Sequence, residues 1–139
     1  MSGELNLTIL LASMTPVLVE GEFVFCTVPP EQITTLKVSP IGYFCEAEGT
    51  TLILAREDAD TCGLPYAYVA RMITLSVHSS LDAVGFIAAI ATHLARASIS
   101  VNPVSAYYHD HLFVPSDRAE EAMAILCELS AQASEKASP

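Results

Sequence analysis

Two short polar stretches hold most of the residues whose type and spacing could do chemistry. In the first, Ser79, Ser80, Leu81 and Asp82 are followed by Ala83, Val84 and Gly85, just before a run with helical apolar spacing. A helix start presents unpaired N–H groups and the positive end of a dipole, so it can hold a carboxylate without a basic side chain. The amides around Val84 and Gly85 are candidates for that contact, and Gly85, lacking a Cβ, lets a ligand approach closely. Asp82 could instead receive an α-amino group, or, as a cap, compete with an anionic ligand. The plainer reading is that Ser79, Ser80 and Asp82 only cap the helix and that Gly85 only lets it pack. Both readings are open on sequence grounds.

The second stretch is Tyr107-Tyr108-His109-Asp110-His111. On an extended strand, His109 and His111 point to one face and Asp110 to the other. Asp110 could bond its own backbone in a polar turn, or His109 and Asp110 could meet a ligand at an interface between units. The imidazole pair could also ligate a metal. Zinc asks for three or four protein ligands, and only His78, His93 and the carboxylates remain to complete a set, so no metal ligand is assigned. No Gly-rich phosphate loop, G-x-S-x-G or H-E-x-x-H occurs, and the chain is read as a non-enzyme with no cofactor. Cys26, Cys45, Cys62 and Cys127 form no C-x-x-C pair and are expected to be buried free thiols of a reducing compartment. Tyr66 and Tyr68 are expected in the linker between two halves.

The elements that must position these residues follow from periodicity. Arg71 to His78 alternates, with Ile73, Leu75 and Val77 on one face, as a half-buried strand does. Val84, Ile87, Ile90, Ala91 and Leu94 recur at helical spacing up to about Ala97 and Ser98. Ile99 to Asn102 reads as a strand, with Pro103 marking a bulge or an edge before Val104 to Tyr107. Residues 108–111 read as the hairpin turn before the strand Leu112-Phe113-Val114. Asp117 and Glu120 have capping-box spacing ahead of Ala119, Ala122, Met123, Leu126 and Leu129, and residues 130–139 are expected to fray. In the first half, Leu7, Leu10, Leu11 and Met14 suit either a short helix or a strand. Glu22 to Val28 is a strand ended by Pro29-Pro30, with a helical turn or two expected over Glu31 to Lys37. Residues 43–46 and 51–55 make a hairpin around Glu48-Gly49. Laid at an offset of about 60, the halves show a faint repeat, with Leu52-Ile53-Leu54 over Leu112-Phe113-Val114 and Glu57 over Asp117.

The chain has 139 residues, enough for one compact domain or two very small ones sharing a sheet. Its net charge of −10 repels phosphate backbones and anionic surfaces, which argues against nucleic acid and membrane partners. No apolar run approaches the roughly 18 residues of a membrane span, and no signal-peptide pattern opens the sequence, so a cytoplasmic protein is expected. Hydrophobic residues make up 52% and charged ones 16%, a balance that points to an extra buried face and hence to a homo-oligomer.

The order β-α-β-β-α with a polar first turn is similar to the ACT domain, a ferredoxin-like βαββαβ unit of amino-acid-responsive regulation. Ile73-Thr74-Leu75, Ser79 to Gly85, Ile99 to Asn102 and Tyr107 to Pro115 resemble a family of small bacterial tandem-ACT proteins. Met14-Thr15-Pro16, Phe23-Val24-Phe25 and Glu46 to Leu52 extend that resemblance over almost the whole chain. Ser105, Tyr107 and Asp110 also resemble a segment in the ACT repeats of the cytosolic arginine sensor of animals, although Ala106 and His109 depart from it and put arginine in doubt as a ligand.

The resemblance implies an α+β fold of two ferredoxin-like units, over residues 1–69 and 70–139, with an antiparallel sheet and helices on one face. The C-terminal unit lacks its last strand, a position to be filled by the other half or by a partner chain, and this open sheet edge narrows the expected homo-oligomer to a homodimer. It further implies a regulatory module that binds a small molecule, an amino acid, through Ser80, Asp82, Val84, Gly85, His109 and Asp110. The alternatives are a structural dimerisation module without ligand, or a metal-dependent enzyme using His109 and His111.

Overall fold

The computed structural model describes residues 3–137. In chain order the elements are α1 (Leu7–Ser13), β1 (Pro16–Leu18), β2 (Phe23–Val28), a 3-10 turn (Pro30–Thr35), β3 (Gly42–Glu46) and β4 (Gly49–Ala55). There follow α2 (Arg56–Thr61), β5 (Val69–Leu75), α3 (Phe86–Arg96), β6 (Asn102–Ser105), β7 (Asp110–Pro115), a second 3-10 turn (Ser116–Arg118) and α4 (Ala119–Ala137). They form two α+β units, as the sequence pattern implies. Packing groups the chain up to Val19 with the chain from Met72 onward, and Glu20–Arg71 by itself. The linear halves and the packed units are therefore two different divisions of this chain.

In the unit that ends the chain, β5 lies between β1 and β7, and β6 flanks β7 at the edge. The strand missing from the C-terminal half is supplied by the beginning of the same chain: β1 pairs antiparallel with β5, Pro16 opposite Leu75 and Leu18 opposite Ile73. This answers the open sheet edge, since each backbone N–H and C=O there needs a partner. The residues before β1 form a helix rather than a strand. Asn6 accepts the Ile9 N–H at 3.1 Å as its cap, and Leu10, Leu11 and Met14 are buried.

Helices α1, α3 and α4 cover one face of these strands. Ile73 and Leu75 from β5, with Leu112 and Val114 from β7, meet Phe86, Ile90 and Leu94 of α3. Ala119, Ala122, Leu126, Leu129 and Ala133 line the buried stripe of α4. That stripe carries α4 past the expected fraying point to Ala137, because Ala133 is buried and the Ser130 hydroxyl donates to the carbonyls of Ala12 and Met14. Residues 138 and 139 of the expected frayed end lie outside the described residues. Asp117 does not cap α4; it sits in a 3-10 turn, and Arg118 from that turn donates to the Ala97 carbonyl at 2.9 Å, closing the carboxyl end of α3.

In the Glu20–Arg71 unit, β4 lies between β3 and β2, and Val69 and Ala70 at the start of β5 pair with Val24 and Phe23. Val24, Cys26 and Val28 point with Leu52 and Leu54 into a core closed by Ala59 of α2, with Ile33 of the 3-10 turn packed against it. The alternation on β2 and β4 follows from the two-residue strand repeat. Only Cys26 of the four thiols is buried; Cys45 and Cys127 are exposed and Cys62 is partly so. The expectation of four buried thiols is therefore corrected: Cys45 lies on the edge strand β3, and Cys127 is on the outward face of α4.

Leu10 is fully buried in the core, so α1 is a load-carrying part of the unit that ends the chain. Leu10→Ala is expected to lower stability by about 2–5 kcal/mol through lost burial and the cavity left behind. Urea unfolding followed by circular dichroism reads that loss directly.

Candidate functional site

Asp110 is the first residue of β7, and its side chain is only 5% exposed. It points to the same side as Leu112 and Val114, toward the helices, because alternate residues of a strand share a face. A carboxylate removed from water is costly unless hydrogen-bonded. Two serine hydroxyls supply the bonds: Ser79 donates at 2.8 Å and Ser105 at 2.5 Å. Ser105 stands directly opposite Asp110 in the β6–β7 ladder, while Ser79 reaches it from the loop between β5 and α3.

Gly85 immediately precedes α3 and has φ +92, a left-handed conformation that favours glycine. No side chain caps the helix there. The first intrahelical bond runs from the Ala89 N–H to the Gly85 carbonyl at 2.9 Å. The N–H groups of Phe86, Ile87 and Ala88 have no acceptor among the described residues, as the first turn of a helix leaves them. A cavity of about 130 Å³ lies here, lined by these three residues together with Ser80, Gly85 and Asp110, among others. One carboxylate at one side and a turn of open N–H groups at the other are complementary to a small molecule carrying both an ammonium and a carboxylate.

The loop explains what sequence reasoning expected of a cap. The helix begins at Phe86, after the seven-residue stretch from Ser79 to Gly85, because the left-handed Gly85 ends the loop and starts the helix. Ser79, Ser80 and Asp82 are thus too far upstream to cap it. Ser80 instead accepts the Asp82 N–H at 3.1 Å within the loop. Of the residues singled out from the sequence, Ser80, Gly85 and Asp110 come together in this cavity. Asp82 and Val84 are exposed, Val84 at 85%, and neither lines it. His109 is partly buried and does not line it either.

The histidines behave as the strand repeat requires. The rings of His109 and His111 lie 6.3 Å apart, and Nδ1 of His111 is 2.9 Å from the Thr74 hydroxyl. Asp110, between them, faces the other way. Its contact with two hydroxyls replaces the expected bond to its own backbone, because the turn of the hairpin is at Ala106 to His109, closed by the Ala106 N–H on the His109 carbonyl at 3.0 Å. Partial burial holds the His111 imidazole below its ordinary range, with the neighbouring His109 acting in the same direction and Asp110 against it. Among the described residues no group of three or more His, Cys, Asp or Glu converges as a metal site.

The pairing of Ser105 with Asp110 and the amides of Phe86, Ile87 and Ala88 escaped the sequence reading. Shifting the hairpin turn two residues earlier would have found Ser105 as the cross-strand partner of Asp110. The amides depended on knowing where the helix starts.

A second, larger concavity of about 540 Å³ lies in the Glu20–Arg71 unit, lined by Glu20, Glu22, Arg56, Glu57 and Asp60 among others. Arg56 donates to Glu22 at 3.0 Å and to the Tyr66 hydroxyl at 2.9 Å, and Tyr66 donates to Asp60 at 2.7 Å. Tyr66 is therefore a partner of this network rather than only a cover for the linker. These groups satisfy one another on an exposed surface, where such pairs contribute little. The smaller cavity, with a buried carboxylate and open amides, is the stronger site.

Two family models, both described as ACT domain, match residues 2–71 and 68–128. Among solved structures, a Vibrio cholerae protein of unknown function, titled a possible transport protein, is 44% identical. The alignment covers 89% of this chain and 95% of that one at a TM-score of 0.79. The alpha and beta subunits of an aspartokinase share the fold at 13% identity, covering 84% and 98% of the two chains at a TM-score of 0.61. So does the ligand-free regulatory subunit of the Thermus thermophilus aspartate kinase, at 9% identity, 84% and 98% coverage and a TM-score of 0.58. No match is found among curated proteins. Among the described residues no helix is long and apolar enough to cross a membrane.

The depressed His111 gives a pH signature. Below about pH 6.5 the unfolded chain binds a proton at this position before the folded chain does, so stability rises with pH in that range and falls as pH drops through it. His111→Gln is expected to show a smaller fall in thermal midpoint than the parent between about pH 7 and about pH 5. Parallel thermal melts across that range check it.

Proposed function

The chain belongs to the ACT-domain family, whose members are ligand-binding regulatory modules, and from that premise we propose that it binds an amino acid in the cavity beside Asp110. The observation that carries this reading is the pairing of a buried carboxylate with open helix-start amides across one small cavity. Asp110 receives the ligand ammonium. The N–H groups of Phe86, Ile87 and Ala88 receive its carboxylate, aided by the helix dipole. Ser79 and Ser105 hold Asp110 in its rotamer, Ser80 lines the wall, and Gly85 allows the backbone to reach the left-handed conformation that opens the amides. Asp82, Val84 and His109, exposed or turned away in the single chain, act where a second chain covers the site. The proposed setting is the cytoplasm, and the output is regulatory rather than catalytic.

The opposing charges of a zwitterion match the two sides of the cavity, and the protein's net charge of −10 disfavours anions. A thermal-shift screen of the protein amino acids is expected to raise the midpoint for at least one of them, with calorimetry giving a one-to-one complex. Asp110→Asn is expected to weaken that complex at least about tenfold, since it removes a hydrogen bond to a charged group. A screen without any hit in ligand-free protein sinks the reading.

A homodimer is the second part of the proposal. The strand β3 forms a sheet edge, and Ile41, Tyr43 and Phe44 there are 50%, 61% and 72% exposed. Edge strands ordinarily carry charges, Pro or a covering element against pairing with another chain; β3 carries no Pro and a single charge, Glu46, at its end. The same feature also suits a structural dimerisation module without ligand. Phe44→Lys is expected to convert the dimer to monomer in multi-angle light scattering; a parent protein that is already monomeric overturns the dimer.

A further inference from the structure

The segment Gly3 to Asn6 crosses the loop that carries half of the candidate site. The Glu4 N–H donates to the His78 carbonyl at 3.0 Å, and the Ser80 N–H donates to the Glu4 carbonyl at 3.0 Å. Glu4 and Ser79 thereby form an isolated parallel bridge. Between His78 and Val84 these are the backbone bonds, among the described residues, that tie the loop to another part of the unit; the remaining ones run within the loop. The loop has no helix or ladder of its own, so two such bonds weigh heavily on where it sits.

Gly3 shows how close the approach is. A Cβ there would lie 2.6 Å from the His78 carbonyl oxygen, the Ser79 carbonyl carbon and the Ser80 nitrogen. All three are backbone atoms and cannot rotate aside, so any residue larger than glycine must push the segment off the loop or displace the loop itself. The other end of the segment is pinned. The Glu4 carboxylate accepts the N–H groups of Leu5 and Asn6 at 2.9 Å each, and Asn6 caps α1, whose Leu10 and Leu11 are buried.

We infer that Gly3 and Glu4 form a strap that positions Ser79 and Ser80 in the site, coupling the docking of the amino-terminal segment to ligand affinity. The ligand half of this inference rests on the amino-acid reading above; the positioning half does not. Neither strap residue lines the cavity. Both act through the loop: Ser79 is a hydrogen-bond donor to Asp110, and Ser80 lines the wall. If the strap lifts, the loop loses its two external anchors and Asp110 loses a fixed partner. By reciprocity, a ligand that fixes Ser79 and Asp110 tightens the strap.

The test is Gly3→Ala in the full chain, with Glu4→Gln as the conservative control that keeps both backbone bonds. Hydrogen exchange of ligand-free protein, read by mass spectrometry, is expected to quicken about tenfold in peptides spanning residues 76–88 of Gly3→Ala, the scale of one lost hydrogen bond. Peptides from α4 should be unchanged, and Glu4→Gln should resemble the parent. Unchanged exchange over 76–88, or an equal rise throughout the chain, overturns the strap.

The second readout uses the amino acids of the thermal-shift screen as probes. Gly3→Ala should weaken a bound amino acid about fivefold or more, and that loss should shrink when Ser79→Ala is already present, because part of it runs through the Ser79 bond to Asp110. A loss that adds fully to that of Ser79→Ala overturns the coupling. Should the parent bind no amino acid, the ligand reading and the coupling fail together, while the exchange result still decides the positioning role.

Discussion

The antiparallel pairing of β1 with β5 is the constraint on which the rest of this protein depends. The chain from β5 to α4 contains the strands and helices of an ACT unit except the last strand, and it leaves one side of β5 with unsatisfied N–H and C=O groups. Pro16 to Leu18 satisfies that side. Because these residues must lie along β5, the helix before them must lie on α4, where Ser130 meets the carbonyls of Ala12 and Met14. The segment before that helix is in turn delivered to the loop after β5. A three-residue strand thus decides the location of the described residues from Gly3 to Val19, among them part of the core.

The site draws its polarity from an asymmetry in α3. Its carboxyl end is closed by the Arg118 guanidinium on the Ala97 carbonyl, and a cation there is favoured by the helix dipole. Its amino end has no side-chain cap. Natural helices usually fill that end with Ser, Thr, Asp or Asn, and here such residues lie nearby in Ser79, Ser80 and Asp82 without serving it. The hydroxyl of Ser79 is engaged by Asp110 instead. A helix whose cap residues are committed elsewhere has a full turn of donors available for something that arrives from outside.

Much of the fold was legible in the sequence, because strands and amphipathic helices announce themselves by period. Ile73 and Leu75 alternate into the core as expected, Leu112 to Val114 form the expected apolar strand, and Ile90, Leu94, Leu126 and Leu129 recur on buried helix stripes. The family pattern carried the antiparallel sheet with its helices, and not the order in which the strands pair. Asp110 was legible for a local reason, the alternation that sends it opposite His109 and His111. What period could not give was the start of α3, since the loop before it contains the residues that ordinarily cap a helix. Nor could it give the partner of Asp110 across the hairpin, because no Asn-Gly or Asp-Gly marked the turn. The choice between helix and strand for Leu7 to Ser13 was equally hidden. It was decided by Asn6 and by burial of Leu10 and Leu11 against elements distant in sequence.

The closing strand also sets a timetable for synthesis. Residues of α1 and β1 leave the ribosome well before their strand partner Ile73 and the helix that covers them. Meanwhile Glu20–Arg71, continuous in sequence and with a core of its own, has all its contacts available early. This early segment is therefore the last to find its place, and Leu10, Leu11 and Met14 stay uncovered until α4 emerges. Long-range pairings of this kind fold slowly and leave apolar surface open to aggregation in the interval. For this chain, the interval between the emergence of β1 and that of α4 is the stretch of synthesis in which that surface stands open.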